Sequence, residues 1–559
     1  MYYKLIENYL SENKTKLVFC LVIILIIYPG EAVVLPQLYS KFFDGLKTNQ
    51  LKGQFNNIYK AFFTKNAAGS LIQICLLWFL FIILFHIKNN LTSYLIPKLL
   101  SDIRNVMFKG FVKKTSEDFK EAKQGELISR ILEVSRAIKD IFNAIQNHII
   151  PITFTSIISI IVITLIEFKI GIIIIIGCII HIFFDIALIP RIFTRSVERE
   201  AVFLNTVQEY TNSFSNLMNV FLNNQEDSTI QKNKDNEDEH SKLFSETWLL
   251  ADTASLIGTI ITIITFIIVL LKFFDMRAKK EISVVNITSI TIILLYFIGN
   301  IRKLQDEIPY IATKFGVVEN SREFIESIIN IDDDANREDQ ETEYDSIKIS
   351  NLTFNYKDKV ILDNLNLEVK PEEKIALIGP SGTGKTTLMK LLLKLHKVDS
   401  SNGTIMIGDT NINDLSRSQV RNHITYINQK TTLFDTTIME NLMFGNNKTE
   451  AEVKQLLKSY DLQIIFDKVG GIYANAGVSG SNLSLGMQKI VIIIRGILRD
   501  AKILLIDEPL AGLDAKTRVK VLNLIRHECK DKTMIIVTHD KEVYEVVDRV
   551  LDMKQIQAL

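Results

Sequence analysis

Six stretches of the chain carry almost no charge: residues 17–34, 71–85, 149–166, 170–189, 256–271 and 284–298. Each approaches the roughly 20 apolar residues needed to cross the hydrocarbon core of a bilayer. The shorter ones reach that length by borrowing flanking residues. A buried helix of a soluble protein keeps a polar face, whereas GIIIIIGCII from Gly171 keeps none. The pattern predicts an all-α domain of six membrane-spanning helices. No small-residue cleavage pattern follows the first stretch, which is read as a retained span.

Between the second and third stretches (98–148) and between the fourth and fifth (191–248) polarity returns, but with a helical period. In GELISRILEVSRAIKDIFNAI, Leu127, Ile131, Val134, Ile138 and Ile141 share one helix face. The spanning helices are therefore expected to run on past the bilayer, an extension of roughly 20 residues reaching about 30 Å. Both connections are rich in Lys and Arg, which places them and both termini in the cytoplasm. The polar run QKNKDNEDEH (231–240) reads as a solvated helix face. His181 and Asp185 stand one helical turn apart inside the fourth stretch, where an ionisable pair is a functional candidate. Asp185 also lies close to Pro190, and a solvated helix end is the expectation for it.

Residues 330–345, NIDDDANREDQETEYD, are too polar to bury and read as an acidic linker. After them the period changes. SIKISNLTFNY alternates as a strand, EKIALIG is a continuous buried strand, and KILLIDEP and KTMIIVTHD are two more with helical sequence between them. That alternation predicts an α/β domain with a largely parallel sheet. The expected division is a transmembrane domain at 1–329, a linker at 330–345 and a soluble domain at 346–559.

Composition sharpens this division. A chain of 559 residues exceeds what one core supports, and its 47% hydrophobic and 23% charged residues average two unlike halves. The formal net charge of zero gives no electrostatic footprint for DNA or RNA, so no nucleic acid partner is expected. Cys20, Cys75, Cys178 and Cys529 form no CxxC pair and are read as packing residues.

The soluble half carries recognisable chemistry. Residues 379–386 fit G-x-x-x-x-G-K-[ST], after a strand and before a helix, where a phosphate loop must sit. Gly379, Ser381, Gly382, Thr383 and Gly384 supply backbone N–H groups for phosphate oxygens, Pro380 shapes the turn between them, Lys385 adds a full positive charge, and the helix opened by Thr386 and Thr387 a partial one. Thr386 is a candidate magnesium ligand. ILLIDEP delivers two carboxylates to a strand end, where open α/β sheets bind ligands. Asp507 is expected to hold the metal and Glu508 to orient or deprotonate an attacking water. A second strand end, IVTHD, adds His539 as a γ-phosphate contact.

In these motifs the chain resembles an ATP-binding cassette exporter half-transporter, membrane domain first and nucleotide-binding domain second, over nearly its whole length. The resemblance implies ATP and Mg2+ as cofactors. It also implies an adenine-stacking role for Tyr356 in LTFNY and a Q-loop role for Gln429, a magnesium ligand that senses the membrane domain. A D-loop at AGLD with Asp514 and a switch role for His539 follow from it too. FKEAKQGELISR and QEYTNSFSNLMNVFLNNQE resemble the two intracellular loops with their coupling helices. In the family, the signature of one subunit caps the nucleotide held by the other, so a second half-transporter is an expected partner beside membrane lipid.

The chain departs from its family at that signature, which reads LSLGM in place of LSGGQ. Ser484 and Gly486 keep a hydroxyl and a flexible backbone donor; Leu485 and Met487 replace a glycine and a glutamine. If the glycine position needs φ > 0, leucine costs roughly 1–2 kcal/mol there. A homodimer with two such sites is preferred over a heterodimer, because every other catalytic element is present. Asn475 stands where the family's cross-linking loop carries an acid. The expected function is ATP-driven export of a hydrophobic or amphipathic lipid, peptide or small molecule by alternating access. The rival is an ATP-gated channel or regulator with little turnover, against which Glu508 argues. A separate importer subunit and a soluble cassette protein do not fit a chain with fused spans.

Overall fold

The computed structural model describes residues 3–46, 67–113, 124–329, 344–356, 359–396, 398–429 and 432–557. They form two compact units that divide between Ile331 and Asp332. Most of the expected linker (330–343) and the start of the first intracellular loop (119–123) lie outside the described residues.

The first unit is all helical. Its elements are α1 (Tyr3–Pro29), α2 (Leu35–Leu46), α3 (Ala67–Lys113), α4 (Gln124–Ala144), α5 (Ile150–Ile166) and α6 (Phe168–Ser215), followed by α7 (Leu217–Leu222), α8 (Glu226–Ala278), α9 (Val284–Asn320) and α10 (Arg322–Ile329). A π turn at Gly30–Val34 joins α1 to α2, and another at Ile145–Ile149 joins α4 to α5. Among the described residues six helical segments are long and apolar enough to cross a membrane, and they contain the six apolar stretches of the sequence. At 48 and 53 residues, α6 and α8 are more than twice the length a bilayer requires.

Burial within this unit is selective. Leu95, Leu99, Ile103 and Met107 of α3 meet Leu5 and Tyr9 of α1 and Val134 of α4 in one core. Ile170, Ile174, Val269, Phe273, Ile293 and Phe297 build a second among α6, α8 and α9. Ile179, Phe183 and Ile186 of α6 and Ile260, Ile264 and Ile267 of α8 stay exposed. Such an outward apolar face suits lipid. Glycines set the approach of helices: a Cβ on Gly316 of α9 would stand 2.6 Å from Ser196 Cβ and 3.0 Å from its carbonyl carbon on α6. Pro190 does not end α6, which runs on to Ser215. The expectation of a solvated helix end at Asp185 is thereby corrected.

Among the described residues the second unit begins with Tyr344, which is 5% exposed and packs its ring 4.3 Å from that of His423. The folded domain thus reaches into the stretch expected to be linker. Its strands are β1 (Ile347–Tyr356), β2 (Lys359–Val369), β3 (Lys374–Ile378), β4 (Thr404–Ile407), β5 (Thr410–Asn411), β6 (Ile424–Ile427), β7 (Ile503–Asp507), β8 (Thr533–Val537) and β9 (Arg549–Asp552). Helices α11 (Lys385–Leu392), α12 (Arg417–His423), α13 (Ile438–Met443), α14 (Glu450–Ser459), α15 (Gln463–Asp467), α16 (Leu485–Leu498), α17 (Ala515–Glu528) and α18 (Met553–Gln557) complete it.

A parallel sheet in the order β6-β7-β8-β3-β9 forms the centre, beside an antiparallel sheet in the order β2-β1-β4-β5. Alternate residues of a strand face opposite sides. Leu504, Ile506, Met534 and Ile536 accordingly enter one core, and Ile503, Leu505, Ile535 and Val537 the other. Burial on both faces explains why these strands read as unbroken apolar runs.

Candidate functional site

The chain leaves β3 at Ile378 and reaches α11 through a loop whose backbone only glycine adopts readily. Gly379, Gly382 and Gly384 have φ of 142°, 86° and 90°. At Gly384 a Cβ would also stand 2.5 Å from Leu362 Cδ2. Lys385 Nζ donates to the carbonyls of Gly379 at 2.5 Å and Pro380 at 2.9 Å, so the ammonium lies over the loop. Thr383 Oγ1 donates to the Pro380 carbonyl, and Gln557 Nε2 donates to the Thr383 carbonyl at 3.0 Å, tying the loop to α18. Burial holds the Lys385 ammonium below its ordinary range, opposed by the charges of Glu508, Asp507 and Asp552.

β7 ends on the two carboxylates. Asp507 is 7% exposed, and its Oδ2 accepts from the Tyr426 hydroxyl of β6 at 3.2 Å. Lys489 of α16, buried beneath it, donates to the Asp507 carbonyl at 3.1 Å. Glu508 has φ = 50°, a left-handed conformation that is strained for a non-glycine residue, and its N–H donates to the Val537 carbonyl of β8. This turn brings Glu508 Oε1 to 3.8 Å from His539 Nε2. Burial pushes the Glu508 carboxyl above its ordinary range, and the nearby His539 pulls it back.

These groups share one cleft of about 420 Å3, lined by Ser381, Gly382, Gly384, Lys385, Thr386, Thr387, Gln429, Asp507, Glu508 and His539. Lys359, Ile361 and Val537 complete its wall. A carboxylate, a hydroxyl and an amide oxygen in one cleft suit Mg2+, which takes few protein ligands when phosphates supply the rest.

Seven of the residues expected at the site do not line the cleft: Tyr356, Gly379, Pro380, Thr383, Ser484, Gly486 and Asp514. Gly379, Pro380 and Thr383 shape the loop itself. Tyr356 closes β1 with an exposed edge; its hydroxyl lies 2.7 Å from His396 Nε2, and Phe354 packs edge-on at 5.2 Å. Ser484 caps α16, accepting from the Met487 N–H. Asp514 caps α17, accepting from the Thr517 N–H at 3.0 Å and the Thr517 hydroxyl at 2.9 Å. A Cβ on Gly486 would meet the Gly512 carbonyl at 3.4 Å, so the signature and the D-loop are neighbours. One chain therefore presents two separate groups of residues.

The structure also resolves the odd signature. Leu485 is the first residue of α16, has no positive φ and is 78% exposed, so it is accommodated without backbone strain. Met487 is 9% exposed and joins the apolar core. Asn475 accepts from the Gly477 N–H at 2.6 Å, holding the turn before the signature. Sequence reasoning missed Tyr426, Lys489, His396 and Gln557. Tyr426 and Lys489 sit inside apolar runs whose pattern marks them only as interruptions, and the other two become neighbours of the site through the fold alone.

Comparison with known proteins agrees with the geometry. Residues 362–511 match the ABC transporter family. A Rickettsia typhi protein named as an export ATP-binding/permease protein is 27% identical over 86% of this chain and 84% of its own. The ATP-dependent lipid A-core flippase of Desulfotalea psychrophila is 32% identical over 38% of this chain and 37% of its own. The structure of a bacterial Atm1-family ABC exporter with ATP bound superposes with a TM-score of 0.83 at 18% identity, covering 97% of this chain and 94% of that one. The family match, the export-named relatives along most of the chain, six apolar helices and an α/β nucleotide-binding domain mark the chain as an integral membrane protein and an ATPase coupled to transport, with the fold of an ATP-binding cassette exporter.

Proposed function

We propose that this chain exports a hydrophobic or amphipathic substrate as a homodimer, with both termini and the nucleotide-binding domain in the cytoplasm. Its working parts are a transmembrane domain at 1–329, a linker that ends before Tyr344, and a cassette from there to 559. The observation that carries the reading is the meeting of Lys385, Thr386, Gln429, Asp507, Glu508 and His539 around one cleft.

In this reading the loop from Gly379 to Thr387 cradles the phosphates of ATP and Tyr356 receives the adenine. Thr386, Gln429 and Asp507 would hold Mg2+, which when bound would neutralise phosphate charge. Glu508 orients or deprotonates the attacking water, and His539 contacts the γ-phosphate. Ser484, Gly486 and Asp514 serve the nucleotide of the second subunit. ATP closes the dimer because it binds the closed state more tightly than the open one, which is what shifts the membrane helices between their two arrangements.

The unstrained, exposed Leu485 supports the homodimer, since the first turn of α16 keeps its Ser484 cap and a free outer face. Two differently tagged copies expressed together test it. Pull-down of one tag is expected to recover the other, and recovery of single-tag protein alone speaks against the homodimer.

A further inference from the structure

Tyr356 ends β1 at 36% exposure, and its partner across the β1–β2 pairing, Lys359, lines the phosphate cleft. A phenol at a strand end can turn about two side-chain bonds, and here three contacts oppose that freedom. Its hydroxyl lies 2.7 Å from His396 Nε2, its ring meets the imidazole near a right angle with centroids 5.2 Å apart, and Phe354 stands edge-on at 5.2 Å. Phe354 also meets His396 at 5.4 Å, so the three rings close a triangle. Edge-to-face contacts at such separations are attractive.

The histidine is itself anchored. It follows α11 through a turn in which the N–H groups of Lys394 and Leu395 donate to the carbonyls of Leu391 and Lys390 at 2.9 and 3.0 Å. Lys394 takes a left-handed φ of 52° in that turn, and its Nζ donates to the Asn413 carbonyl at 3.2 Å. Leu395 and Phe354 both pack against the core of the second unit. The hydrogen bond to Tyr356 holds for either position of the imidazole hydrogen: a protonated Nε2 donates to the phenol oxygen, and a bare one accepts the phenol hydrogen. Burial keeps the Tyr356 hydroxyl above its ordinary pKa, against the pull of the Thr387 hydroxyl, which belongs to the cleft. One helix thus carries the phosphate loop at its start and, just past its end, the group that holds Tyr356.

A ring already held in one orientation loses less freedom when a base stacks on it than a ring the ligand must immobilise. We propose that His396 is a positioning residue that fixes the Tyr356 ring as the base platform of the nucleotide site, and so sets the affinity for the adenosine part of ATP without touching it. The proposal rests on the reading that Tyr356 receives the adenine. It deepens that reading by separating the two ends of the ligand: His396 acts through Tyr356 on the base, while the loop from Gly379 to Thr387 meets the phosphates.

The test uses the full chain in lipid nanodiscs and two probes titrated by calorimetry with Mg2+: the non-hydrolysable imido analogue of ATP, and inorganic tripolyphosphate, which lacks the nucleoside. His396→Leu is expected to weaken binding of the ATP analogue about three- to tenfold, the scale of immobilising one side chain, and to leave tripolyphosphate unchanged. Tyr356→Phe keeps the ring and removes the hydroxyl. It is expected to show the same loss, and it decides if His396→Leu does not fold. The two changes combined are expected to cost no more than either alone. Equal weakening of both probes, unchanged binding of the ATP analogue, or a full second loss in the combined variant overturns the proposal. Tyr356→Ala separates it from the reading beneath it, because removing the platform is expected to weaken the ATP analogue alone by about tenfold or more. That loss without one in His396→Leu overturns the role of His396 and leaves Tyr356 as the platform. No loss in Tyr356→Ala overturns both.

Discussion

Glu508 concentrates the chemistry of the cleft in one residue. Its positive φ turns the carboxylate away from the path of β7, and burial raises its proton affinity. A carboxyl raised in the folded state binds a proton more readily than in the unfolded chain. Above both values the ionised form detracts from stability, and that deficit fades as pH falls through the ordinary carboxylate range. Glu508→Gln is therefore expected to melt above the wild type at neutral pH and level with it near about pH 4, as followed by calorimetry. A constant difference across that range contradicts the burial argument. Leu485 makes an independent prediction. Because it is exposed and unstrained, Leu485→Gly is expected to change stability by less than about 1 kcal/mol, whereas relief of a left-handed strain raises it by more. The sequence exposed Asp507, Glu508 and Lys385 as a motif because fixed spacing accompanies their chemistry. Tyr426 and Lys489 stayed hidden, since a hydrogen bond across two strands or from a helix to a strand end leaves no spacing to read.

At the scale of elements, apolar runs were the most legible feature. β7 and β8 are buried on both faces, so four consecutive apolar residues, Ile503 to Ile506 and Met534 to Val537, announced each of them. The six spans were legible for the related reason that lipid and neighbouring helices both accept apolar side chains. Their ends were not. Pro190 breaks helices in water, yet α6 continues through it for a further 25 residues (190 to 215); a long helix packed against neighbours tolerates a proline. The meaning of a glycine was equally hidden until helices were paired. Gly316 sits where α9 crosses α6, with backbone atoms of Ser196 and Val197 within 3.1 Å of a Cβ position. Gly316→Ala must separate two backbones, and is expected to destabilise the membrane unit by about 1–3 kcal/mol. A thermal shift assay in detergent reads this as a lower transition temperature, and an unchanged transition contradicts the close crossing.

For the whole molecule, the decisive feature is that the residues of one chain form two groups that do not share a cleft. The cradle, the paired carboxylates and His539 line one cavity, while Ser484 and Asp514 cap helices elsewhere in the same domain and Gly486 lies in the first turn of α16. Family resemblance implied this division before any geometry, but the sequence alone gave no means of judging the altered signature. Its effect depended on whether Leu485 occupied a left-handed or a helical position. The most direct measurement is ATP turnover by the chain purified alone in lipid, beside Glu508→Gln. The account predicts hydrolysis by the unmodified chain and a loss of roughly 10²–10⁴-fold in the variant, the range for removal of a general base. Nucleotide binding without turnover by the unmodified chain would contradict it, and would mean that the signature needs a different partner to complete the site.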